Sequence, residues 1–131
     1  MTPRQGLLVV VGAGALVGVG LWMTSRRAPA PNVRVPALSP AARAGQVAFQ
    51  RSCAPCHGEV AQGAATGPPL VHAIYRPGHH ADVAFELAVR RGVRAHHWRF
   101  GDMPPQPTVP AGEVGQITRF VRELQQANGI D

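Results

Sequence analysis

Residues 53–57 read Cys53-Ala54-Pro55-Cys56-His57, and these are the only two cysteines in the 131-residue chain. Two thiols three positions apart, followed at once by an imidazole, suit four chemistries. A thioredoxin-like dithiol needs a surrounding βαβ pattern, and none is visible. A cysteine-rich zinc site needs more thiols, although a mixed site remains open because His72, His79, His80, His96 and His97 lie downstream. A disulfide across two intervening residues is strained. The fourth chemistry is covalent haem attachment, in which two thiols add to the two vinyl groups of one haem and the adjacent His57 reaches the iron from the same backbone turn. That reading leads.

Working outward, three helices are expected. Ser39-Pro40 combines an N-cap residue with proline at the first helical position, and AARAGQVAFQRS follows with no breaker other than Gly45. A second helix runs from Asp82 through ADVAFELAVRR to a stop at Gly92. In the third, Val114, Ile117, Phe120, Val121 and Leu124 recur at helical spacing, and Asn128-Gly129 supplies the end. Gly- and Pro-rich loops separate them, and no stretch alternates as a strand would.

The region before Pro40 is different. Between Arg4 and Arg26 lie 21 residues without a charge, and 17 of them, 7–23, are LLVVVGAGALVGVGLWM. A helix through the uncharged run covers roughly 30 Å, the thickness of a bilayer's hydrocarbon core. A cleaved signal peptide competes, with Ala28-Pro29-Ala30 as a small-x-small site. Pro31 just beyond the cut and the length of the apolar run favour an uncleaved anchor. Gly14 and Gly18 match a helix-pairing spacing, which in a glycine-rich span reads first as a small-residue face. The stretch 25–39, with Pro29, Pro31 and Pro36, reads as an extended tether able to span about 45 Å. The expected organisation is a transmembrane anchor at 1–24, a linker at 25–38 and a folded domain at 39–131.

Charge excludes one partner class. All 13 basic residues are arginine, against 7 acids, for a net +6. Four of those arginines precede Pro40, so the domain itself carries nine against seven and has no basic stripe with interleaved aromatics. Nucleic acid is not an expected partner. No G-x-S-x-G, H-E-x-x-H or phosphate-binding glycine loop is present, so no catalytic residue is assigned and the chain reads as a non-enzyme.

Over residues 39–131 the sequence resembles the class I monohaem cytochromes c, and the small bacterial members more than the mitochondrial type, whose lysine ring is absent. Four segments carry the resemblance. Gly45 and Phe49 stand at the spacing of that family's first helix, where glycine permits close approach of the last helix and the aromatic packs on it. Cys53, Cys56 and His57 match the attachment and proximal positions. Gly67-Pro68-Pro69-Leu70 is similar to the segment whose proline carbonyl, here that of Pro68, accepts a hydrogen bond from the proximal imidazole and whose leucine, here Leu70, packs on the haem. Gly101-Asp102-Met103-Pro104-Pro105 resembles the distal loop, with Met103 as sixth ligand and Pro104 stiffening it.

The resemblance implies a small all-α domain of three or four helices around one haem c, covalent through Cys53 and Cys56, with His57 and Met103 as the iron ligands. Trp98 is expected either to donate its indole N–H to a haem propionate or to pack against the haem edge. His79 and His80 are expected at the surface before the middle helix. His96 and His97 read as a solvated loop, with an alternative distal ligand or a weak copper site as the sharper readings. The implied function is one-electron transfer in a respiratory chain, between a quinol-oxidising complex and a terminal oxidase or reductase. Haem c is attached, in that family, outside the bacterial cytoplasmic membrane, which puts the domain in the periplasm where the flanking charges leave orientation tied. Two other functions stay open: a fixed electron-relay subunit of a larger membrane enzyme, and a haem enzyme or gas sensor with a labile distal ligand.

Overall fold

The computed structural model describes residues 32–131, so the expected membrane span and most of the expected linker lie outside the described residues. Among those described, no helix is long and apolar enough to cross a membrane. They form four α-helices and one 3-10 turn. Helix α1 is Pro40–Ser52, α2 is Ala54–His57, the 3-10 turn is Ala73–Tyr75, α3 is Asp82–Arg91 and α4 is Ala111–Ala127.

Helix α1 begins where expected. The Ser39 side chain accepts the Ala42 N–H at 3.2 Å, and Pro40 occupies a position whose N–H no helix could use. Glu123, from the far end of the chain, accepts both the Ser39 backbone N–H (2.9 Å) and its hydroxyl (2.7 Å). The start of the first helix is thereby tied to the last. Burial alone would raise the Glu123 carboxyl, but these two bonds, with Arg119 and Arg43 nearby, hold it below its usual range.

The core is the crossing of α1 and α4. Helix α1 buries Ala42, Gly45, Ala48 and Phe49 on one face, and α4 buries all five apolar positions expected from its periodicity. Phe49 meets Phe120 with ring centroids 5.4 Å apart, tilted by 58°, a favoured aromatic geometry. Gly45 is what permits the crossing, since a Cβ there would fall 1.9 Å from the Gln116 carbonyl oxygen. That oxygen is backbone and cannot swing away. Gly45→Ala should therefore cost about 1–3 kcal/mol as an overpacking change, near the upper end. In a domain of this size the expected fall in Tm is roughly 10–20 °C. A calorimetric Tm within about 2 °C of the parent would contradict the tight crossing.

Two buried polar side chains on α4 went unread in the sequence. Thr118 returns its hydroxyl to the Val114 carbonyl at 2.9 Å. Gln125, 1% exposed, donates to the carbonyls of Leu70 (2.9 Å) and Tyr75 (3.0 Å), which ties the loop before α3 to the last helix. A buried amide is tolerated because its partners are present.

The described end of the expected tether is not free. Val33 and Leu38 pack against the core, the Arg34 side chain donates to the Ala127 carbonyl, and Asn128 exchanges hydrogen bonds with the Arg34 backbone at 3.0 and 2.8 Å. Arg34 thus satisfies a carbonyl left over at the C-terminal end of α4, where a cation is favoured. A swing over the full 25–39 stretch is corrected accordingly: the residues from Val33 onward lie along the domain.

Candidate cofactor site

The helix breaks at Cys53 because Pro55 has no N–H to give the Arg51 carbonyl and its ring would press on it. The chain restarts as the short α2, and the His57 N–H bonds the Cys53 carbonyl at 2.9 Å. This one turn presents Cys53, Cys56 and His57 to a common cavity of about 480 Å³. The volume lies within the roughly 300–1,000 Å³ usual for cofactor sites. Leu70, Tyr75, Phe85 and Val93 help make its walls predominantly apolar, and Met103 lies on the lining as well.

The loop after α2 is folded back so that its carbonyls serve the histidine. Gly58 (φ 76°) turns the chain out of the helix, and Gly67 passes so close to α2 that a Cβ would lie 2.6 Å from the Cys56 carbonyl oxygen. That approach sets the Pro68 carbonyl 2.9 Å from His57 Nδ1. A carbonyl can only accept, so Nδ1 carries the proton and Nε2 keeps its lone pair for a metal. Burial lowers the His57 pKa, opposed by the Pro68 hydrogen bond, and so favours the neutral, ligating form.

Met103 is held by a feature absent from the sequence reading, an isolated antiparallel bridge with Val93 whose two N–H···O bonds are both 2.9 Å. Gly92 (φ 73°) makes room for it, because a Cβ there would meet the Met103 carbonyl oxygen at 2.5 Å. The glycine that ends α3 therefore also seats the Met103 loop.

Trp98 lines the same cavity, but its indole N–H is given to the Tyr75 hydroxyl at 3.1 Å. That internal bond holds the indole at the cavity edge. Tyr75, the only tyrosine in the chain, was missed. Burial raises its pKa, against the Trp98 bond, so the phenol keeps its proton and can donate into the cavity. Its uniqueness was the one signal the sequence offered.

The geometry separates the four cysteine chemistries. A reactive dithiol needs a depressed thiol pKa, whereas burial, and then Cys56, push Cys53 up to about 11. Both cysteines are free. Among the described residues the side chains grouped as a metal site would be are His79, His80 and His97, with neither cysteine among them. What fits is a large apolar cofactor fastened by two thiols on one turn, with an oriented imidazole beside them.

Comparison with known proteins agrees. A family model described as cytochrome c matches residues 42–125. No curated protein and no solved structure matched the chain.

Proposed function

The chain belongs to the cytochrome c family, and on that premise we propose that it is a membrane-tethered periplasmic one-electron carrier with His57 and Met103 as axial ligands. Membership already means a covalent haem c, on Cys53 and Cys56, and haem-based electron transfer. The single observation supporting the finer reading is that both thiols, the oriented His57 and Met103 line one apolar cavity.

The bound group would supply a one-electron couple, with His57 and Met103 the residues that would hold its iron, and methionine ligation would raise its potential. The protein's part is to orient and exclude. The Pro68 carbonyl fixes the His57 ring, the Val93 bridge fixes the Met103 backbone, and the apolar walls keep water out. A thin core also gains from the cofactor, since a domain of this size buries too little surface for comfort without an added apolar body.

Tethering rests on the uncharged run 5–25, long enough for a membrane span, and periplasmic exposure on where such haems are attached. The partners fitting this placement are a quinol-oxidising complex and a terminal oxidase or reductase. A second reading, a fixed relay subunit of a larger enzyme, is favoured by exposed Val83 on α3, one turn from Leu87, which with Phe100 lies on the cavity lining.

The deciding experiment is the visible spectrum of the matured protein, oxidised and reduced, with and without carbon monoxide. A low-spin spectrum with the weak red band of an iron-to-methionine bond, unmoved by carbon monoxide, is expected. A high-spin spectrum shifted by carbon monoxide would overturn the carrier and favour a gas-binding haem protein. A periplasm-dependent reporter at the C-terminus should be active; activity only of a cytoplasmic reporter would overturn the topology. Stoichiometric co-purification with a membrane enzyme in mild detergent would replace the shuttle by the relay.

A further inference from the structure

Four of the six histidines come together at the rim of the cavity from two loops far apart in sequence. His79 and His80 precede α3, and His96 and His97 lie in the loop that the Val93–Met103 bridge closes. The His79 and His80 rings stack at 4.7 Å, His97 stands edge-on to both at 5.3 Å, and His96 lies 4.2 Å from His97. Hydrophobic burial does not account for the convergence, because His79, His96 and His97 are all exposed.

We propose that His79, His80 and His97 bind one divalent transition-metal ion, copper(II) in preference to zinc(II), at the edge of the haem cavity. One ligating atom from each lies within 4.8 Å of the others. Two nitrogens on one tetrahedral ion, each about 2.0–2.1 Å from it, stand about 3.4 Å apart. Closure thus needs only small rotations, and two of the three side chains are free in solvent to make them.

His80 is the prepared member. Its Nδ1–H donates to the Ile74 carbonyl at 2.8 Å, which leaves the Nε2 lone pair for a metal. Its own carbonyl accepts from Arg122, whose guanidinium also binds Tyr75 O (2.6 Å), Gln125 (2.7 Å) and Asp82 (2.8 Å). The loop carrying His80 is therefore anchored to α4. His96, whose Nδ1–H donates to the Arg94 carbonyl at 2.8 Å, has its Nε2 free in the same way and lies beside the group.

The donor set decides the ion. Imidazole alone, with no carboxylate or thiolate in the group, suits copper, zinc and nickel rather than magnesium or calcium, and copper(II) heads the affinity order.

His80 and His97 line the same cavity as Met103 and Trp98. A dipositive ion at that rim favours the more electron-rich haem, so it raises the reduction potential. This coupling rests on the haem reading above; the metal site itself does not.

The test is calorimetric titration of the mature, untagged protein with copper(II) and, separately, zinc(II). One equivalent of each is expected, copper the tighter, with nitrogen hyperfine structure from imidazoles in the copper electron-paramagnetic spectrum. His97→Ala and His80→Ala should each weaken copper binding at least about tenfold, and His72→Ala should not. His97 is exposed, so its variant remains interpretable should His80→Ala fold poorly. Absence of one-equivalent binding, or affinity indifferent to His97→Ala, would overturn the site. Copper should also raise the haem potential without moving the axial-ligand bands, and lose that effect in His97→Ala. Stoichiometric binding with an unmoved potential would overturn the coupling alone. A protein lacking covalent haem would defeat the preceding reading while the titration still decided this one.

Discussion

Changing both Cys53 and Cys56 to serine is expected to abolish covalent haem: all of it should extract into acidified organic solvent, whereas none should leave the parent protein. The cause lies in one helical turn. Both thiols face the cavity from the segment that Pro55 breaks away from α1, so no other side chain of the chain can replace them. A dissociable haem stabilises only with the logarithm of its free concentration over Kd, about 2.7 kcal/mol at a hundredfold excess, while a tethered one cannot leave. Either single variant should likewise lower the yield of normal holoprotein, because a domain this small buries too little surface without the attached group. Haem that stays with the denatured double variant would refute the attachment.

Met103→Ala should open the iron to external ligands. The weak red band should vanish, the reduced protein should bind carbon monoxide at neutral pH, and the potential should fall, because methionine ligation is what raises it. Stability should drop as well, by about 2 kcal/mol, the lower end for truncating a core methionine, since Met103 is only half-buried. Gly92→Ala should share part of this behaviour, because its Cβ would press on the Met103 carbonyl and displace the loop. Retention of the red band in Met103→Ala would refute Met103 as the ligand, whereas a low-spin spectrum without that band and unmoved by carbon monoxide would pass the distal role to a nitrogen ligand, with His96 and His97 the candidates on the lining.

Much was legible before any coordinates because it is local. The Ser39-Pro40 cap, the Gly92 and Asn128-Gly129 stops and the apolar repeat of Val114 to Leu124 are set by neighbours within a turn or two, and the helices begin and end there. The attachment motif is local too, since three residues on one turn need no distant partner to be recognised. Gly45 and Phe49 became legible only through resemblance, and the structure supplies their reason in Gln116 and Phe120.

What stayed hidden involves groups far apart in sequence. Glu123 reaches Ser39, Gln125 reaches Leu70, Arg34 reaches Ala127, and the Trp98 N–H finds Tyr75. Polar side chains carry no periodicity that announces a partner, so such ties have no signature in a single sequence. The same holds for the histidines. His79-His80 and His96-His97 are unremarkable pairs along the chain, and folding about the α1–α4 crossing makes a cluster of them. The sequence by itself determined the three longer helices, the thiol pair and the resemblance to the family, because those depend on spacing along a chain. Tertiary structure alone decided the Met103 bridge, the docking of Val33 to Leu38 and the histidine cluster, because those depend on which distant segments the core brings within a few ångströms.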